Sequence, residues 1–423
     1  MNDRVSPSHH ALTREQLSSL ARGGDAAAVG RLVAAQRSKH VILLARVAEL
    51  ARRGKHQDDA AALAGYELLA LVQQRDPVAA AEVISYPSVG VWALNVIRAD
   101  GTRTDARPSG LAAVAAAAAV RAGLDVEIEV PVRDGAVLLP SLGIAAAAGS
   151  TAVVAAAGPE ARSGGQCVKL RSGAPGWQEL RRITFGTRAV LVDDLDPFRM
   201  PATDSAPMGR LTPGQAEELG GTLRAAWPVL PLASAAAIAA IVTVIVPYQA
   251  PASGYVSTSS PQAFGAVAMS RQPDAYTCGE TLVHETQHLK LCALLDLVAL
   301  TQPDDGERYY APWRTDPRPA SALLQGAYAF LGVCGFWREQ RQVTEPAVRD
   351  RAQAEFARWR DEVARAVATL LGSGQLTGLG EVFTENMAEV LDSWRREPVP
   401  GEAIARARLE SEQHLAQWQA DNG

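Results

Sequence analysis

The sequence predicts an α+β protein that is predominantly helical, with a helical N-terminal part, a mixed α/β middle and a C-terminal helical part whose HExxH sequence at 284–288 indicates a metal-binding helix. Apolar residues recur at helical spacing through the first hundred residues and again in the C-terminal third. Between these parts, short runs alternate apolar and charged residues, as half-buried strands do. Hydrophobic residues make up 48% of the chain and charged residues 21%, which excludes global disorder.

The length of 423 residues allows two or three domains at about 100–200 residues each. The changes in pattern along the chain divide it into three regions. Residues 1–105 form the helical region, which is a candidate for peptide binding. Residues 106–250 form the mixed α/β region, and residues 251–423 form the HExxH metal-binding catalytic region.

The N-terminal helices are predicted from apolar periodicity. The segments LVAAQRSKHVILLARVAELARR and AALAGYELLALVQQ each place apolar residues on one helical face. Asp-Pro and Tyr-Pro dipeptides interrupt the pattern after residue 75, and Ser88–Ala99 predicts a further helix. Residues 110–122 are almost entirely Ala, Val and Leu, which predicts a well-buried helix.

Short strands are predicted in the middle of the chain. The run VEIEVPV alternates apolar and charged residues. Further strand candidates are Val137–Leu139, Thr151–Ala155 and Ala189–Val192, with Gly and Pro turns between them. Residues 213–226 then predict a helix, opened by a Thr-Pro pair.

One apolar stretch is long enough to raise the question of a membrane span. No charged residue occurs between Arg224 and Arg271, and Val229–Val246 has about the length of a marginal spanning helix. Pro231 interrupts its start, Ala dominates its middle, and it ends in the β-branched run IVTVIV. We therefore expect a buried helix followed by a buried strand, and no membrane partner.

The C-terminal third predicts one strand and a series of helices. AFGAVAMS is the strand candidate. Helices are expected at about 279–299, Ser321–Arg341, Glu345–Leu371 and 401–420, the last with a largely solvated face.

Charge and cysteine content exclude several classes of protein. The net charge of −5 argues against a general nucleic-acid binder, which needs a basic surface. The four cysteines lack CxxC spacing and do not form a disulfide framework, so a reduced, cytoplasmic location is expected. The N-terminal sequence MNDRVSPSHHALT has no apolar segment and predicts no signal peptide.

The strongest chemical signal is the HExxH motif HETQH at 284–288, inside a helical pattern. Residues at i and i+4 lie on one face of a helix, so the imidazoles of His284 and His288 can point at one metal ion. Glu285 lies about 100° around the helix and can act on a metal-bound water or on a ligand.

The third metal ligand is less clear from the sequence. A zinc peptidase would place a carboxylate on a later helix, and the candidates are Glu307 or a later residue such as Glu385. The alternative is Gln325, whose helix presents the small residues Ala329 and Gly332 on the same face. Its amide oxygen is a neutral ligand that divalent iron can accept.

A proline-rich segment, YYAPWRTDPRP, connects the two helices. Because proline restricts φ, such a loop is stiff and can hold a guanidinium in place to grip a carboxylate with two hydrogen bonds. Arg314 and Arg318 are therefore candidates for binding an acidic co-substrate. The alternative is a structural ion pair of either arginine with Asp316.

Three consecutive blocks, HETQHLKLCALLDL, YYAPWRTDPRP and LLQGAYAFLGVCGFWR, resemble the HExxH-type 2-oxoglutarate- and iron-dependent peptide β-hydroxylases, the HExxH-motif proteins of ribosomal peptide natural-product biosynthesis. The same family is resembled, less specifically, by three earlier segments, YPSVGVWAL, VLVDDLDPFR and STSSPQAFGAVAMS. The resemblance spans roughly residues 80–395, and its specific part is 257–340. Some members of the family carry histidine where this chain has Phe330.

The resemblance implies an Fe(II) oxygenase that uses O₂ and 2-oxoglutarate to hydroxylate the β-carbon of a residue in a precursor peptide. His284, His288 and Gln325 would hold iron, and Arg314 or Arg318 would hold 2-oxoglutarate. Glu285 would then support a ligand. A homodimer is compatible with this assignment.

Two other functions stay open. In a zinc metallopeptidase of the gluzincin type, Glu285 would be the general base and a glutamate the third ligand. In a non-catalytic protein, the helical first hundred residues would bind a peptide whatever the C-terminal region does.

Overall fold

The computed structural model describes residues 10–54, 59–99, 106–185, 188–202 and 206–422. Parts of the predicted 1–105 region (1–9, 55–58 and 100–105) lie outside the described residues. The chain forms two compact units. Unit 1 contains the described residues within 34–217 and 242–271, and unit 2 contains those within 10–33, 218–241 and 272–422.

The fold class is α+β and predominantly helical, as predicted. Helices contain 56% of the residues and strands contain 14%. The helices of the described residues are α1 Arg14–Ala21, α2 Ala26–Arg52, α3 Asp59–Arg75, α4 Pro77–Ile84, α5 Pro87–Arg98, α6 Gly110–Ala122, α7 Pro213–Ala226, α8 Leu232–Ile241, α9 Ala275–Leu295, α10 Ala320–Gln340, α11 Pro346–Gly372, α12 Gly378–Arg395 and α13 Gly401–Asn422, with a 3-10 turn at Trp227–Val229. The strands are β1 Glu127–Pro131, β2 Ala136–Leu139, β3 Gly143–Ala146, β4 Thr151–Ala155, β5 Glu160–Ser163, β6 Gln166–Lys169, β7 Trp177–Glu179, β8 Arg181–Phe185, β9 Arg188–Val192, β10 Val244–Pro247, β11 Ser257–Thr258 and β12 Ala266–Met269.

The predicted elements of the middle region are confirmed. The candidate strands correspond to β1, β2, β4 and β9, and the helices predicted at 110–122 and 213–226 are α6 and α7. The stretch 229–246 holds α8 and β10, as expected. Pattern reasoning missed the short strands β3 and β5–β8, because runs such as EARS, QCVK and WQE contain too few apolar residues for a clear alternation.

Three sheets lie in unit 1. Two are antiparallel, with strand orders β1-β4-β5-β6 and β2-β3-β7. The third has the order β11-β12-β10-β9-β8, and β10 runs parallel to both of its neighbours. All four residues of β10 are buried, because a central parallel strand is covered on both faces.

Close helix packing explains the Ala-rich run of α6. A Cβ at Gly65, on α3, would lie 2.6 Å from the backbone nitrogen of Ala112, on α6. The two helices therefore approach closely only because one presents glycine and the other alanine. Gly123 ends α6 with a φ of 61°, the left-handed conformation that glycine adopts without strain.

The acidic turn after β9 is part of the core of unit 1. The Tyr86 hydroxyl donates to Asp193 at 2.6 Å, and the Ser88 hydroxyl donates to Asp196 at 2.6 Å. Burial, followed by the charge of Asp193, raises the pKa of Asp196 to about 7. These carboxyl groups connect β9 to the start of α5, which gives the VLVDDLDPFR segment a structural role.

Unit 2 is built from helices, with α10 between α9 and α11. The helix α9 begins at Ala275, earlier than predicted, because Asp274 caps it by accepting the Thr277 N–H at 2.8 Å. Its last residue is Leu295, short of the predicted 299.

Among the described helices, α10 is long and apolar enough to cross a membrane. The helices α4 and α5 reach that length only if they are counted together as one span that bends by 63°. Inside the protein, 67% of the apolar window of α10 is buried. The core helix of a soluble protein has the same properties, so this finding is weak evidence for a membrane segment.

Candidate functional site

The two histidines of the motif converge. The Nε2 atoms of His284 and His288 lie 3.1 Å apart on one face of α9. Two nitrogens at this separation can both lie about 2.0–2.1 Å from a single ion, at an angle of about 100°. The helical spacing thus places two lone pairs where one divalent metal could accept both.

The ring of His288 is oriented by Gln325. The Nδ1 atom of His288 lies 3.3 Å from the amide oxygen of Gln325, and the Gln325 amide nitrogen lies 3.8 Å from the Cys292 sulfur. In metal sites, a ligand histidine commonly donates its second ring N–H to such an oxygen, which leaves the other nitrogen free for the metal. Gln325 occupies this orienting position, on the opposite side of the ring from the Nε2 pair, and its predicted role as a direct ligand stays a prediction.

The electrostatics of the pair favour metal binding. Burial, followed by the positive charge of a protonated His288, lowers the pKa of His284 to about 3. His284 is therefore a neutral imidazole at neutral pH, which is the form that donates a lone pair to a metal.

Aromatic side chains surround His284. The ring of Phe330 lies edge-on to it at 5.1 Å, Trp313 stacks on Phe330 at 4.9 Å, and Trp359 lies 4.2 Å from Phe330. A Cβ at position 326 would overlap the Trp313 indole, so Gly326 is what allows the indole to lie against α10. Sequence reasoning did not identify Trp359, because it lies on α11, far from the motif along the chain.

Glu280 is a second residue that sequence reasoning missed. It lies one turn before His284 on α9 and is 3.6 Å from Arg351 of α11. Burial, followed by the charge of Glu355, raises the pKa of Glu280 to about 7. Its position four residues before the first histidine was the available signal, because that spacing puts it on the side of α9 that carries His284.

Glu285 is buried, with 3% of its surface exposed. Its place on α9, beside His284 in sequence, keeps it among helix contacts and away from bulk solvent. A base that acts on a metal-bound water has to reach the open side of the metal. The structure describes the position of Glu285 and leaves its predicted catalytic role untested.

Both candidate arginines of the proline-rich loop pair with the same carboxylate. Arg314 Nε donates to Asp316 at 2.8 Å, and a terminal nitrogen of Arg318 donates to it at 2.9 Å. These hydrogen bonds lower the pKa of Asp316 to about 2. The ion-pair alternative is therefore realised for both residues, while 53% of the Arg314 side chain stays exposed for an anion.

The loop is closed by its own backbone hydrogen bonds and attached to α13 of unit 2. Tyr309 and Arg318 exchange backbone hydrogen bonds of 2.8 and 2.9 Å. The Tyr310 hydroxyl lies 2.8 Å from His414 Nδ1 on α13. Because Trp313 stacks on Phe330, these contacts hold the segment that carries Arg314 beside the histidine pair.

The candidate glutamate ligands lie elsewhere. Glu307 and Glu385 are exposed, and Glu389 forms an ion pair with Arg22 at 2.5 Å. Within the described ranges, no group of three His, Cys, Asp or Glu side chains could hold a metal ion. A third protein ligand of these types therefore does not join His284 and His288 in this conformation.

The described residues bring together two imidazole nitrogens, and the Gln325 amide oxygen lies on the far side of the His288 ring from them. No family model matches the sequence, and comparison with curated proteins gives no significant match. The candidate site is accordingly defined by its own geometry.

Proposed function

We propose that this chain is an Fe(II)- and 2-oxoglutarate-dependent dioxygenase that hydroxylates the β-carbon of a residue in a ribosomally synthesised precursor peptide. The convergence of the two Nε2 atoms at 3.1 Å is the observation that carries the proposal. The resemblance of the residues around it to HExxH-type peptide β-hydroxylases supplies the reaction and the substrate class.

The sparse ligand set supports an oxygenase. A co-substrate that chelates a metal through two oxygens needs open coordination positions, which a site with few protein ligands provides. His284 and His288 would hold the iron, and Gln325 would orient His288 or complete the ligand set. Bound iron with 2-oxoglutarate and O₂ would supply the oxidising chemistry at the peptide C–H bond.

The protein's own groups have separate tasks in this proposal. Arg314 or Arg318 would bind the distal carboxylate of 2-oxoglutarate by exchanging part of its pairing with Asp316. The rings of Phe330 and Trp313 would exclude water from the side of His284 that they cover.

The zinc peptidase alternative has less support. It needs a third ligand, and the candidates Glu307 and Glu385 are exposed side chains that do not join the histidines. The feature in its favour is Glu285, which would be the general base of such a peptidase.

The partner and location are part of the proposal. The substrate would be a precursor peptide, and described helices of the 1–105 region are candidates for binding its leader. The formal net charge of −5 supports the absence of a nucleic-acid partner. None of the four cysteines, which all lie in the described part of the chain, forms a disulfide, which supports a reducing, cytoplasmic location.

The test is an anaerobic titration of metal-free protein with Fe(II) and then 2-oxoglutarate, followed by visible absorption. A weak charge-transfer band that saturates with 2-oxoglutarate is expected. It should disappear in His284→Ala and persist in His10→Ala, a matched histidine substitution outside the motif. Turnover with the precursor peptide should then give succinate and a peptide that has gained one oxygen atom.

A different set of results would favour the zinc peptidase. Tight zinc binding without any charge-transfer band, together with peptide cleavage that is lost in Glu285→Gln, would replace the oxygenase with the peptidase.

A further inference from the structure

A cavity lies in unit 2 behind the helix that carries the histidines. Its volume is about 650 Å³, within the range of small-molecule sites. Thr286 and Lys290, one turn apart on α9, contribute to its wall. Each is two residues from a motif histidine, so they lie on the opposite face of the helix from the candidate metal.

Lys290 is a buried cation with little compensation. Only 3% of its surface is exposed, and its ammonium donates one hydrogen bond, to the Gly23 carbonyl at 2.6 Å. It also lies 5.6 Å from the centre of the Tyr328 ring. Among the described residues, no carboxylate lies within ion-pair distance of it.

Burial of the Lys290 ammonium without an anion beside it has a high cost in free energy. An ammonium has three N–H donors, and a buried charge without a counter-ion is strongly unfavourable. The contact with Gly23 accounts for one donor at the C-terminal turn after α1 and leaves two directed elsewhere.

Thr286 provides a second, independent observation. Thr286 is 2% exposed, and its hydroxyl has no hydrogen-bond partner among the residues that the structure describes. Buried hydroxyls in folded proteins are nearly always paired, so an unpaired one on a cavity wall indicates a missing polar partner. The hydroxyl and the ammonium are neighbours at i and i+4, a spacing that one carboxylate can bridge.

One part of the remaining wall is apolar, beside polar and charged residues such as Ser18 and Arg22. Val283, Ile238 and Leu331 are apolar side chains on three different helices. Two of the three acidic groups on the wall are engaged by other partners, since Asp25 accepts from Ser19 and Glu339 pairs with Arg338, and the third, Glu15, is exposed to solvent.

We propose that this cavity binds a small carboxylic acid with an apolar body, whose carboxylate accepts hydrogen bonds from Lys290 and Thr286. The site is separate from the candidate metal site and does not depend on the proposed oxygenase activity. The carboxylate takes two N–H donors of Lys290 and the Thr286 hydroxyl, and the apolar tail lies against Val283 and Leu331.

The experiment uses the full-length protein and straight-chain monocarboxylates from acetate to octanoate. Thermal stabilisation and isothermal titration calorimetry report binding, and hexanol and hexylammonium are the neutral and cationic probes of similar length. Hexanoate or octanoate should bind with a Kd below about 1 mM, whereas hexanol and hexylammonium should not.

Three variants locate the binding. Lys290→Met keeps the apolar stem and should weaken hexanoate binding by at least about tenfold. Thr286→Val should weaken it by about threefold to tenfold and keeps the test valid if Lys290→Met does not fold. Lys169→Met, the same change at an exposed lysine of unit 1, should leave binding unchanged.

His284→Ala separates this site from the metal site. Hexanoate binding should persist in that variant and in metal-free protein, even if no oxygenase activity is found. The proposal is overturned if no monocarboxylate of the series binds, if Thr286→Val and Lys290→Met bind as wild type does, or if binding disappears in His284→Ala.

Discussion

Replacing Gln325 with leucine tests how the metal site is assembled. The substitution keeps the approximate size of the side chain and removes the amide oxygen that lies 3.3 Å from His288 Nδ1. The His288 ring then loses the acceptor that points its Nε2 atom towards His284. The expected result is weaker binding of a divalent metal with an unchanged stoichiometry of one ion.

The magnitude follows from the geometry. Loss of a group that hydrogen-bonds a ligand histidine typically reduces metal affinity about 10–100-fold. The 3.3 Å separation is longer than the usual ~2.9–3.0 Å of an N–H···O hydrogen bond, so the lower end is expected. About tenfold corresponds to ~1.4 kcal/mol of binding free energy.

The assay is titration of metal-free protein with Co(II), followed by calorimetry and visible absorption. Gln325→Glu keeps an acceptor and should bind within about threefold of wild type, because a carboxylate accepts the same hydrogen bond more strongly. Gln413→Leu, the same change on the exposed side of α13, is the matched control and should bind as wild type does.

The outcomes separate the two roles of Gln325. A loss of about 10–100-fold with an unchanged Co(II) spectrum supports orientation of His288. A larger loss with an altered spectrum supports direct ligation by the amide. An affinity within about twofold of wild type in Gln325→Leu would refute the reasoning for both roles.

Two further predictions concern packing and pH. Gly326→Ala places a methyl group where the Trp313 indole lies and should lower the free energy of unfolding by about 1–3 kcal/mol, measured by urea unfolding. The control is Gly372→Ala, whose methyl group meets open space and should not lower it. Equal effects of the two substitutions would contradict the packing argument. Burial lowers the pKa of His40 to about 4 in the folded protein. As the pH falls, His40 therefore binds its proton in the unfolded chain first, and the free energy of unfolding decreases by ~1.4 kcal/mol per pH unit between about pH 6.5 and 4. The stability difference between wild type and His40→Gln should therefore narrow by ~2 kcal/mol between about pH 7 and 5, whereas a constant difference would refute this assignment.

Local periodicity in the sequence was sufficient to predict most of the helices. The interval of four residues between His284 and His288 places both imidazoles on one helical face whatever surrounds them. The predicted helix at 110–122 coincides with α6, because an Ala-rich run followed by Gly123 contains both its propensity and its end signal. Helix ends were less predictable where a side-chain cap decides them, as Asp274 does for α9.

The environment of each candidate residue depends on contacts between segments that are distant in sequence. No local pattern shows that Gln325 faces the Nδ1 side of His288, or that Phe330 contacts both Trp313 and Trp359. These relations arise because α10 packs between α9 and α11, and a shift by one residue along any of the helices would turn each side chain by about 100°.

The same distinction holds for charge. The sequence identifies Arg314 and Arg318 as guanidinium groups on a stiff loop, and their conformations determine that both pair with Asp316. Lys290 is an ordinary helix residue in the sequence, and the surrounding helices remove it from water. Residue type and spacing therefore determine which chemistry is available, and packing determines which groups are desolvated, paired or left with open donors, because burial changes the cost of every unpaired charge.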